Sequence, residues 1–487
     1  MASFAISGIQ VLVRTRGGAG VLVRGPAPRP ALVFQWSHHG PAAHRIVMTR
    51  LCSKSGLKPA NTEFQGALKL AALALLIAAG AVGQTAPPPP PAVVAGIPVN
   101  YDEEKAGGYT LPDPLLLLNG KPVRDAKTWN DKRRPELIKL YEEKQFGHAP
   151  GKPSNVSYDV FEPGASTFDG KAVRRQLTIR LGDNGPKFDV LIYFPKAATK
   201  PVPVLLHMSF SPNASTVDDP EIRLGETWNR EHKRVPATRG VGIGKMNPLP
   251  WLERGMAVAT VYYGDIDPDF DGGFPNGVRA GYPKPGGGDW GTIAAWAWGA
   301  SRIVDYFEAE KAIDPKRIAI VGVSRLGKTV LWAGASDPRI GLVIASCSGE
   351  GGAALSRRYY GETIKHMAAR FGYQFAPNYA QYGDRVNEFP VDSHFLISLI
   401  APRPLLLQTG DKDFWSDPNG EYLAAVAAAP VYKLLGAKVD LPAAMPEAGQ
   451  AFYGTLGYYE HAGGHGTLPG DWEIFMKFVD MHFHLSR

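Results

Sequence analysis

Residues 318–328, with the sequence IAIVGVSRLGK, constrain the fold of this chain more than any other stretch. Residues 318–322 form a short apolar run without alternation, which is typical of a buried parallel strand, and residues 329–335 are predicted to be helical. Ser324 lies between them, with Gly322 and Gly327 on either side. A serine on a sharp turn from strand to helix is the arrangement of a nucleophile elbow, although the second glycine comes one position late. The alternative is a serine that only caps the helix N-terminus.

The chain is long enough to bury a large core, in one domain or two, because 44% of its 487 residues are hydrophobic. Its formal net charge of +7 does not indicate nucleic-acid binding. Residues 1–86 carry nine Arg or Lys and a single acid, Glu63, so the rest of the chain is close to neutral. The basic charge therefore belongs to the first segment, and no nucleic-acid partner is expected.

The first segment, residues 1–86, is predicted to be a leader that contains a signal peptide. The apolar run at 70–79 follows Lys54, Lys58 and Lys69 and precedes small residues, as in a signal peptide; an uncleaved anchor is the alternative. Because such a run seldom begins so far along a chain, we expect the true start downstream of Met1, for example at Met48. The prediction is a secreted or periplasmic bacterial protein with no stable membrane partner.

Two further segments follow the leader. Residues 87–96 include five consecutive prolines and are interpreted as a stiff linker, and residues 97–487 as one catalytic domain. Only Cys347 remains in the mature chain, since Cys52 lies in the leader, so no intramolecular disulfide is expected. The two cysteines do not suggest a zinc site, no metal or organic cofactor is predicted, and a monomer is expected.

Strand and helix patterns alternate through the second half of the chain. Strands are predicted at residues 157–161, 173–180, 187–194, 203–210, 258–263, 318–322, 342–346, 404–409 and 455–459. Helices are predicted at residues 134–145, 292–308, 419–435 and 471–484. This order indicates an α/β protein with a mostly parallel sheet covered by helices on both faces, the three-layer α/β-hydrolase fold. The loop-rich residues 211–252 are interpreted as a rim of the site, since long irregular loops often have this role.

An elbow serine needs a base, and the base needs a carboxylate to orient it. In α/β-hydrolases the chain order is serine, acid, histidine. His465 lies in a glycine-rich loop between the last predicted strand and helix, where the base belongs, so it is favoured. His461, four residues earlier, is the alternative.

Three carboxylates are candidates for the acid. Asp411 and Asp413 follow the strand at 404–409, the usual place for the acid, although aspartates are also common in turns. Glu350 follows the preceding strand. Asp413 is favoured, and Glu350 is the reserve candidate.

Three side chains near these positions are candidates for substrate contact. Arg325 follows the elbow serine and could reach an oxyanion, and Lys328 lies one helical turn further along and could donate to sugar hydroxyls. Both could equally be solvated charges on a helix. Trp415, two residues after Asp413, offers an indole of the kind that often contacts sugars.

Four stretches of the chain resemble the glucuronoyl esterases of carbohydrate esterase family fifteen, in their bacterial form. They are GVSRLGK at 322–328, SGEGGAALSRR at 348–358, FWSDPNGE at 414–421 and GGH at 463–465. The similarity spans most of residues 100–487, and the S-R-x-G-K elbow is specific to the family.

The resemblance implies a role for each candidate residue. Ser324 would be the nucleophile and His465 the base, Arg325 would donate to the oxyanion, and the sugar contacts would be Lys328, Glu362 and Trp415. Many members carry a catalytic glutamate at the position of Cys347. Some bacterial members have a second acid that matches Asp413, so this chain would depend on Asp413.

The implied reaction is hydrolysis of esters of glucuronic or 4-O-methylglucuronic acid, such as those between xylan side chains and lignin alcohols. The implied partner is a glucuronoxylan or lignin–carbohydrate ester. Two alternatives remain at this point: a polysaccharide deacetylase of the same fold, such as an acetyl-xylan esterase, and a catalytically silent carbohydrate-binding homologue.

Overall fold

The computed structural model describes residues 90–183, 185–282 and 289–485, together with the backbone of some strands nearer the start of the chain. These strands belong to a unit that ends at Pro88 and pair as an antiparallel sheet: Ala2–Ile6, Ile9–Val13, Gly20–Arg24, Leu32–Trp36 and Ile46–Thr49. The predicted signal peptide at 70–79, the cleavage region and Cys52 lie outside the described residues. The leader therefore remains a prediction.

A ten-stranded sheet forms the centre of the second unit, which begins at Pro89. Its strands, in chain order, are β1 Val156–Thr167, β2 Ala172–Leu181, β3 Lys187–Pro195, β4 Val202–Ser209, β5 Ala257–Tyr262, β6 Ile313–Val323, β7 Leu342–Ser346, β8 Leu405–Gly410, β9 Ala451–Phe452 and β10 Leu456–His461.

The strand order across this sheet is β9-β10-β8-β7-β6-β4-β5-β3-β2-β1. The neighbours from β5 through β4, β6, β7 and β8 to β10 are all parallel, whereas β1, β2, β3 and β9 pair antiparallel. Because parallel strands end at the same edge, the residues that follow β6, β7, β8 and β10 come together there. This is the mostly parallel α/β-hydrolase sheet that the sequence predicts, and the fold class is confirmed.

Seven helices of six residues or more are labelled here. They are α1 Arg134–Tyr141, α2 Thr292–Ala309, α3 Arg325–Ser336, α4 Ile364–Phe371, α5 Ser393–Ser398, α6 Pro418–Leu434 and α7 Asp471–Phe483. None of the helices in the described residues is long and apolar enough to cross a membrane.

The parallel strands bury both of their faces, which explains why they appear in the sequence as apolar runs without alternation. On β6, Ile318 and Ile320 join the core beneath α2 and α3, while Ala319 and Val321 join the core beneath α7. Strand β7 divides its side chains between the two cores in the same way. Helices therefore cover both faces of the sheet.

The structure adds short elements that the sequence did not reveal. The strand β9 and the helices α4 and α5 are too short to show a clear period. The segment 211–252 contains two short helices and a hairpin between Glu226–Trp228 and Arg234–Pro236. Within the stretch interpreted as linker, Val93–Val94 pairs with Ile97–Pro98.

Candidate active site

Ser324 occupies a strained turn between β6 and α3. Its φ of 59° and ψ of −126° lie in a region that residues with a side chain rarely adopt. The residue holds the N-cap position of α3, but its hydroxyl makes no capping hydrogen bond. The helix-cap alternative therefore does not account for this side chain, whereas a strained turn with an exposed hydroxyl is the geometry of a nucleophile elbow.

Both elbow glycines are needed for close packing. A Cβ on Gly322 would overlap the Leu326 carbonyl, and a Cβ on Gly327 would lie 2.8 Å from the Ser346 oxygen at the end of β7. The Ser324 N–H donates to that same oxygen at 2.8 Å. Gly327 lies where the first turn of α3 passes the end of β7. This close approach explains why the second glycine stands one position later than in the usual elbow motif.

His465 is paired with a carboxylate at the edge of the sheet. Its Nδ1 lies 2.7 Å from Asp413 Oδ2 and 3.2 Å from Ser416 Oγ. Asp413 is buried, whereas 42% of the His465 side chain is exposed. A carboxylate that accepts from Nδ1–H leaves Nε2 free to accept a proton, which a general base requires.

Ser324 and His465 both line a cavity of about 240 Å³. In the described part of the chain no hydrogen bond joins the Ser324 hydroxyl to the His465 ring. Catalytic hydrogen bonds are often long before substrate binds and shorten in the reacting complex. The shared cavity makes the pair a candidate for nucleophile and base.

His461, the alternative base, is buried and fully engaged. Its Nδ1 lies 2.7 Å from Asp471 Oδ2, and its Nε2 donates to the Gly464 carbonyl at 2.9 Å. Gln408 also contacts Nδ1, at 3.1 Å. With both ring nitrogens occupied, His461 holds the histidine loop in place and has no nitrogen free to take a proton from a serine.

The other two acid candidates serve other purposes. Asp411 accepts the Gly463 N–H at 2.8 Å and so fixes the turn before His465. Glu350, the reserve candidate, is buried and accepts from the Tyr379 and Ser356 hydroxyls at 2.6 and 2.7 Å. Burial raises the pKa of Glu350 to about 8, and its carboxyl makes no hydrogen bond to His465 in the described residues. The geometry therefore favours Asp413.

Cys347, the position at which the resemblance implies a glutamate in many members, faces the same histidine loop. Its Sγ accepts the Gly466 N–H at 3.4 Å and lies 3.5 Å from the Gly466 carbonyl oxygen. Burial raises the pKa of its thiol well above the usual value, and the charge of Asp413 acts in the same direction. Sγ, an Asp413 oxygen and a His465 ring nitrogen all lie within 4.8 Å of one another.

Arg325 lines the cavity and is held there by an acid that sequence reasoning missed. Its guanidinium pairs with Asp269 and lies 5.0 Å from the centre of the Phe371 ring. Asp269 is fixed in turn by Tyr373 and Gln374, which donate to its Oδ1 at 2.9 and 2.7 Å. The cation beside the elbow serine is therefore held in place and is not a freely solvated surface charge.

The predicted sugar contacts lie together. Lys328 is buried, and its Nζ donates to the Ser348 carbonyl at 2.7 Å and to Glu362 Oε1 at 3.1 Å. The Glu362 N–H donates to the Trp415 carbonyl at 2.8 Å. All three predicted contacts line the cavity of Ser324.

The cavity has further lining residues that sequence reasoning missed. They are Met367, Arg370, Phe371, Gln374 and Ser416. Four of them come from α4 and the turn after it, which were not predicted. Arg370 lies 5.8 Å from the centre of the Trp415 ring and makes no ion pair within the described residues.

A ten-stranded, mostly parallel sheet with an elbow serine and a His–Asp pair at its edge defines the α/β-hydrolase class. A sequence profile described as "Glucuronyl esterase, fungi" matches residues 226–436. Carbohydrate esterase MZ0003, from an unknown prokaryotic organism, is 43% identical over 399 residues, which cover 79% of this chain and 92% of that protein.

Solved structures give the same result. A glucuronoyl esterase from Solibacter usitatus is 42% identical, with a TM-score of 0.74 over 77% of this chain and 99% of the other. An esterase from a marine bacterial metagenome, described as a promiscuous CE15 esterase, is 42% identical, with a TM-score of 0.73 over 79% of this chain and 100% of the other. The chain belongs to carbohydrate esterase family 15, the glucuronoyl esterases, and the resemblance seen in the sequence is confirmed.

The two histidines should give opposite results on substitution. We expect His465→Ala to lower kcat by about 10⁴- to 10⁶-fold and to unfold like the wild type, since members of a triad act as a unit and this ring is half exposed. His461→Ala should instead lower the free energy of unfolding by about 1–3 kcal/mol, because Asp471 loses a buried partner. Denaturant unfolding and kcat together check both. A stable, inactive His461→Ala beside an active His465→Ala would contradict the assignment.

The acid can be tested in the same way. Asp413→Asn should lower kcat by about 10⁴-fold, because the imidazole loses the group that fixes its tautomer. Glu350→Gln, the matched control, should cost less than about tenfold, and Cys347→Ser should cost little. Cys347→Glu in the Asp413→Asn background should restore part of the rate, since this position reaches the same imidazole. An inactive Glu350→Gln with an active Asp413→Asn would reverse the assignment.

Proposed function

We propose that this protein hydrolyses esters of glucuronic and 4-O-methylglucuronic acid through a Ser324–His465–Asp413 triad. One observation carries the proposal: the elbow serine, the His–Asp pair and the polar group of Lys328, Glu362 and Trp415 share a single cavity. Relatives of about 28% identity, from Podospora anserina for example, carry the name 4-O-methyl-glucuronoyl methylesterase. The enzyme is a carboxylic ester hydrolase.

The reaction would begin at the Ser324 hydroxyl. His465 Nε2 takes the hydroxyl proton as Oγ attacks the ester carbonyl, and Asp413 stabilises the imidazolium through Nδ1–H. The carbonyl electrons move to the oxygen, where the free N–H groups at the start of α3 and the Arg325 guanidinium stabilise the negative charge.

The intermediate then collapses to a glucuronoyl-serine, and His465 gives its proton to the departing alcohol. Water attacks the acyl-enzyme with His465 again as the base, which releases glucuronic acid and restores the serine. Every step uses protein groups and water, so no metal or organic cofactor is required.

The three polar side chains in the cavity, Lys328, Glu362 and Trp415, support a preference for a sugar acid. An ammonium has three N–H donors, and Lys328 uses two of them on Ser348 and Glu362. The remaining donor, the second Glu362 oxygen and the Trp415 indole N–H are available to hydroxyl groups, since no described residue binds them. An acetyl group would make no hydrogen bonds to these polar groups, which favours a hydroxylated acyl group.

The substrate prediction compares two esters. Benzyl glucuronate should be hydrolysed with a kcat/KM at least about a hundredfold higher than that of p-nitrophenyl acetate, because only the sugar acid satisfies the polar groups. Ser324→Ala should abolish both activities. Both esters are needed, because one relative is described as promiscuous. A preference for the acetate would indicate a deacetylase, and no hydrolysis of either would indicate a carbohydrate-binding homologue.

We also propose that the protein is exported and acts on glucuronoxylan or lignin–carbohydrate esters. The apolar run at 70–79 with its small residues supports export. N-terminal sequencing of the protein from its host should give a start near Thr85, with cleavage between Gly83 and Ala86. Recovery of a chain that still contains residues 1–70 would refute the signal peptide.

A further inference from the structure

A short N-terminal segment, residues 100–105, contacts the loop that carries Glu362. The Gly361 N–H donates to the Asn100 carbonyl at 2.8 Å, and the Asn100 side chain donates to the Tyr359 carbonyl at 3.1 Å. These bonds join residues more than 250 positions apart in the sequence. They fix the backbone on the N-terminal side of Glu362.

The same segment is linked to the loop that carries Trp415, residues 411–417, through Arg358 and through the first turn of α6. Both carboxylate oxygens of Glu103 accept from Arg358 Nη2, at 2.8 and 3.0 Å, and one also accepts from the Asn419 side chain at 3.1 Å. Arg358 is buried and also donates to Asp417 at 2.8 Å. Glu103 therefore completes a charged network that ends two residues after Trp415.

Asp417 has a structural reason to need this network. Its φ of 55° is in the left-handed region, where it ends the turn Phe414–Ser416 and caps α6 through the Gly420 N–H. A strained residue of this kind persists only when its surroundings hold it. Arg358 holds Asp417, and Glu103 holds Arg358 from the other side.

Tyr101 also lies close to the site. Its ring packs edge-on to Tyr360 with centroids 6.0 Å apart, and its hydroxyl is buried with no hydrogen-bond partner in the described residues. Burial raises the pKa of this phenol, and the negative charges of Glu362 and Asp413 raise it further. The ring contact therefore adds a packing contact between this segment and the residues just before Glu362.

We propose that residues 100–105 are a positioning element of the substrate site, with Glu103 as the residue that fixes the Glu362 and Trp415 loops relative to each other. The two loops are joined directly by the bond from the Glu362 N–H to the Trp415 carbonyl and by the Arg358–Asp417 pair, and Glu103 supports the second of these links through Arg358. The inference rests on the proposed function, because it assigns the element to binding of the sugar acid.

This element acts on substrate binding and not on the chemical step. Ser324 and His465 are positioned by β6, by α3 and by the loop after β10. Asp413 begins the Trp415 loop, but it is held at that end by the bond from its N–H to the Gly410 carbonyl at 3.0 Å and by its contact with His465. Glu103 contacts none of these groups. Loss of the Glu103 charge should let the Trp415 loop move and weaken contacts with the sugar. A small ester that makes no sugar contacts should react as before.

The test is Glu103→Gln, with Glu104→Gln as the matched control. Glu104 is exposed, and its side chain makes no ion pair or hydrogen bond within the described residues. We expect Glu103→Gln to raise the KM for benzyl glucuronate about three- to fivefold, because half of the Glu103 side chain is exposed and water screens part of the charge-assisted hydrogen bonds that are lost. Its kcat/KM for p-nitrophenyl acetate and its Tm should match those of Glu104→Gln.

Equal losses on both esters would overturn the proposal, because they would indicate general destabilisation. An unchanged KM would overturn it as well. Hydrogen exchange of the Gly361 and Glu362 amides provides a readout that is independent of substrate: exchange should be faster in Glu103→Gln than in Glu104→Gln, and equal rates would refute the brace. If the wild type fails to hydrolyse benzyl glucuronate, the proposed function fails, and the exchange rates still decide whether the segment positions the loops.

Discussion

The strained backbone of Ser324 is the constraint on which the rest of the site depends. A conformation of this kind costs on the order of 1–3 kcal/mol, so neighbouring structure must maintain it. The hydrogen bond from its N–H to Ser346 ties it to the end of β7, in register with Val323 opposite Ser346. This bond forms only when β6 and β7 pair in parallel, so the conformation of the elbow depends on the central sheet. The cores on both sides of the sheet therefore contribute directly to the position of one hydroxyl group.

Much of the fold follows from the sequence, for a physical reason. Buried parallel strands are uniform apolar runs, and long amphipathic helices repeat every 3.6 residues, so the strand Leu342–Ser346 and the helix Asp471–Phe483 are predicted almost to the residue.

The active site is harder to predict from the sequence than the fold is. Spacing alone could not separate His465 from His461, because what distinguishes them is Asp471, which lies on a helix further along the chain. The orientation of the Glu350 side chain depends on residues with positive φ in the turns after β7, and such turns produce no periodic pattern in the sequence. Asp269 and Arg370 come from loops and a short helix that only the tertiary structure brings to the cavity.

The charges around the cavity are arranged in pairs. Arg325 pairs with Asp269, Lys328 with Glu362 and His465 with Asp413, so each charged group near the reacting atoms has a partner. A buried charge without a partner would lower the stability of the fold, whereas paired charges keep a fixed geometry. Arg370 is the cation at the cavity that lacks an ion-pair partner among the described residues. The site therefore combines near-neutral surroundings for a neutral ester with one additional positive charge, Arg370, which lies against the Phe371 and Trp415 rings.

The place of Cys347 has a consequence for the history of such enzymes. Two neighbouring strands, β7 and β8, end where their following residues reach the same imidazole. An ancestor with a carboxylate at both positions would tolerate the loss of either one, because the other already faces the ring. The acid can thus pass from one strand to the next by single substitutions, with no inactive intermediate and no shift of the backbone. The thiol that stands at one of these positions fills the space, accepts a hydrogen bond from the Gly466 N–H and carries no competing charge.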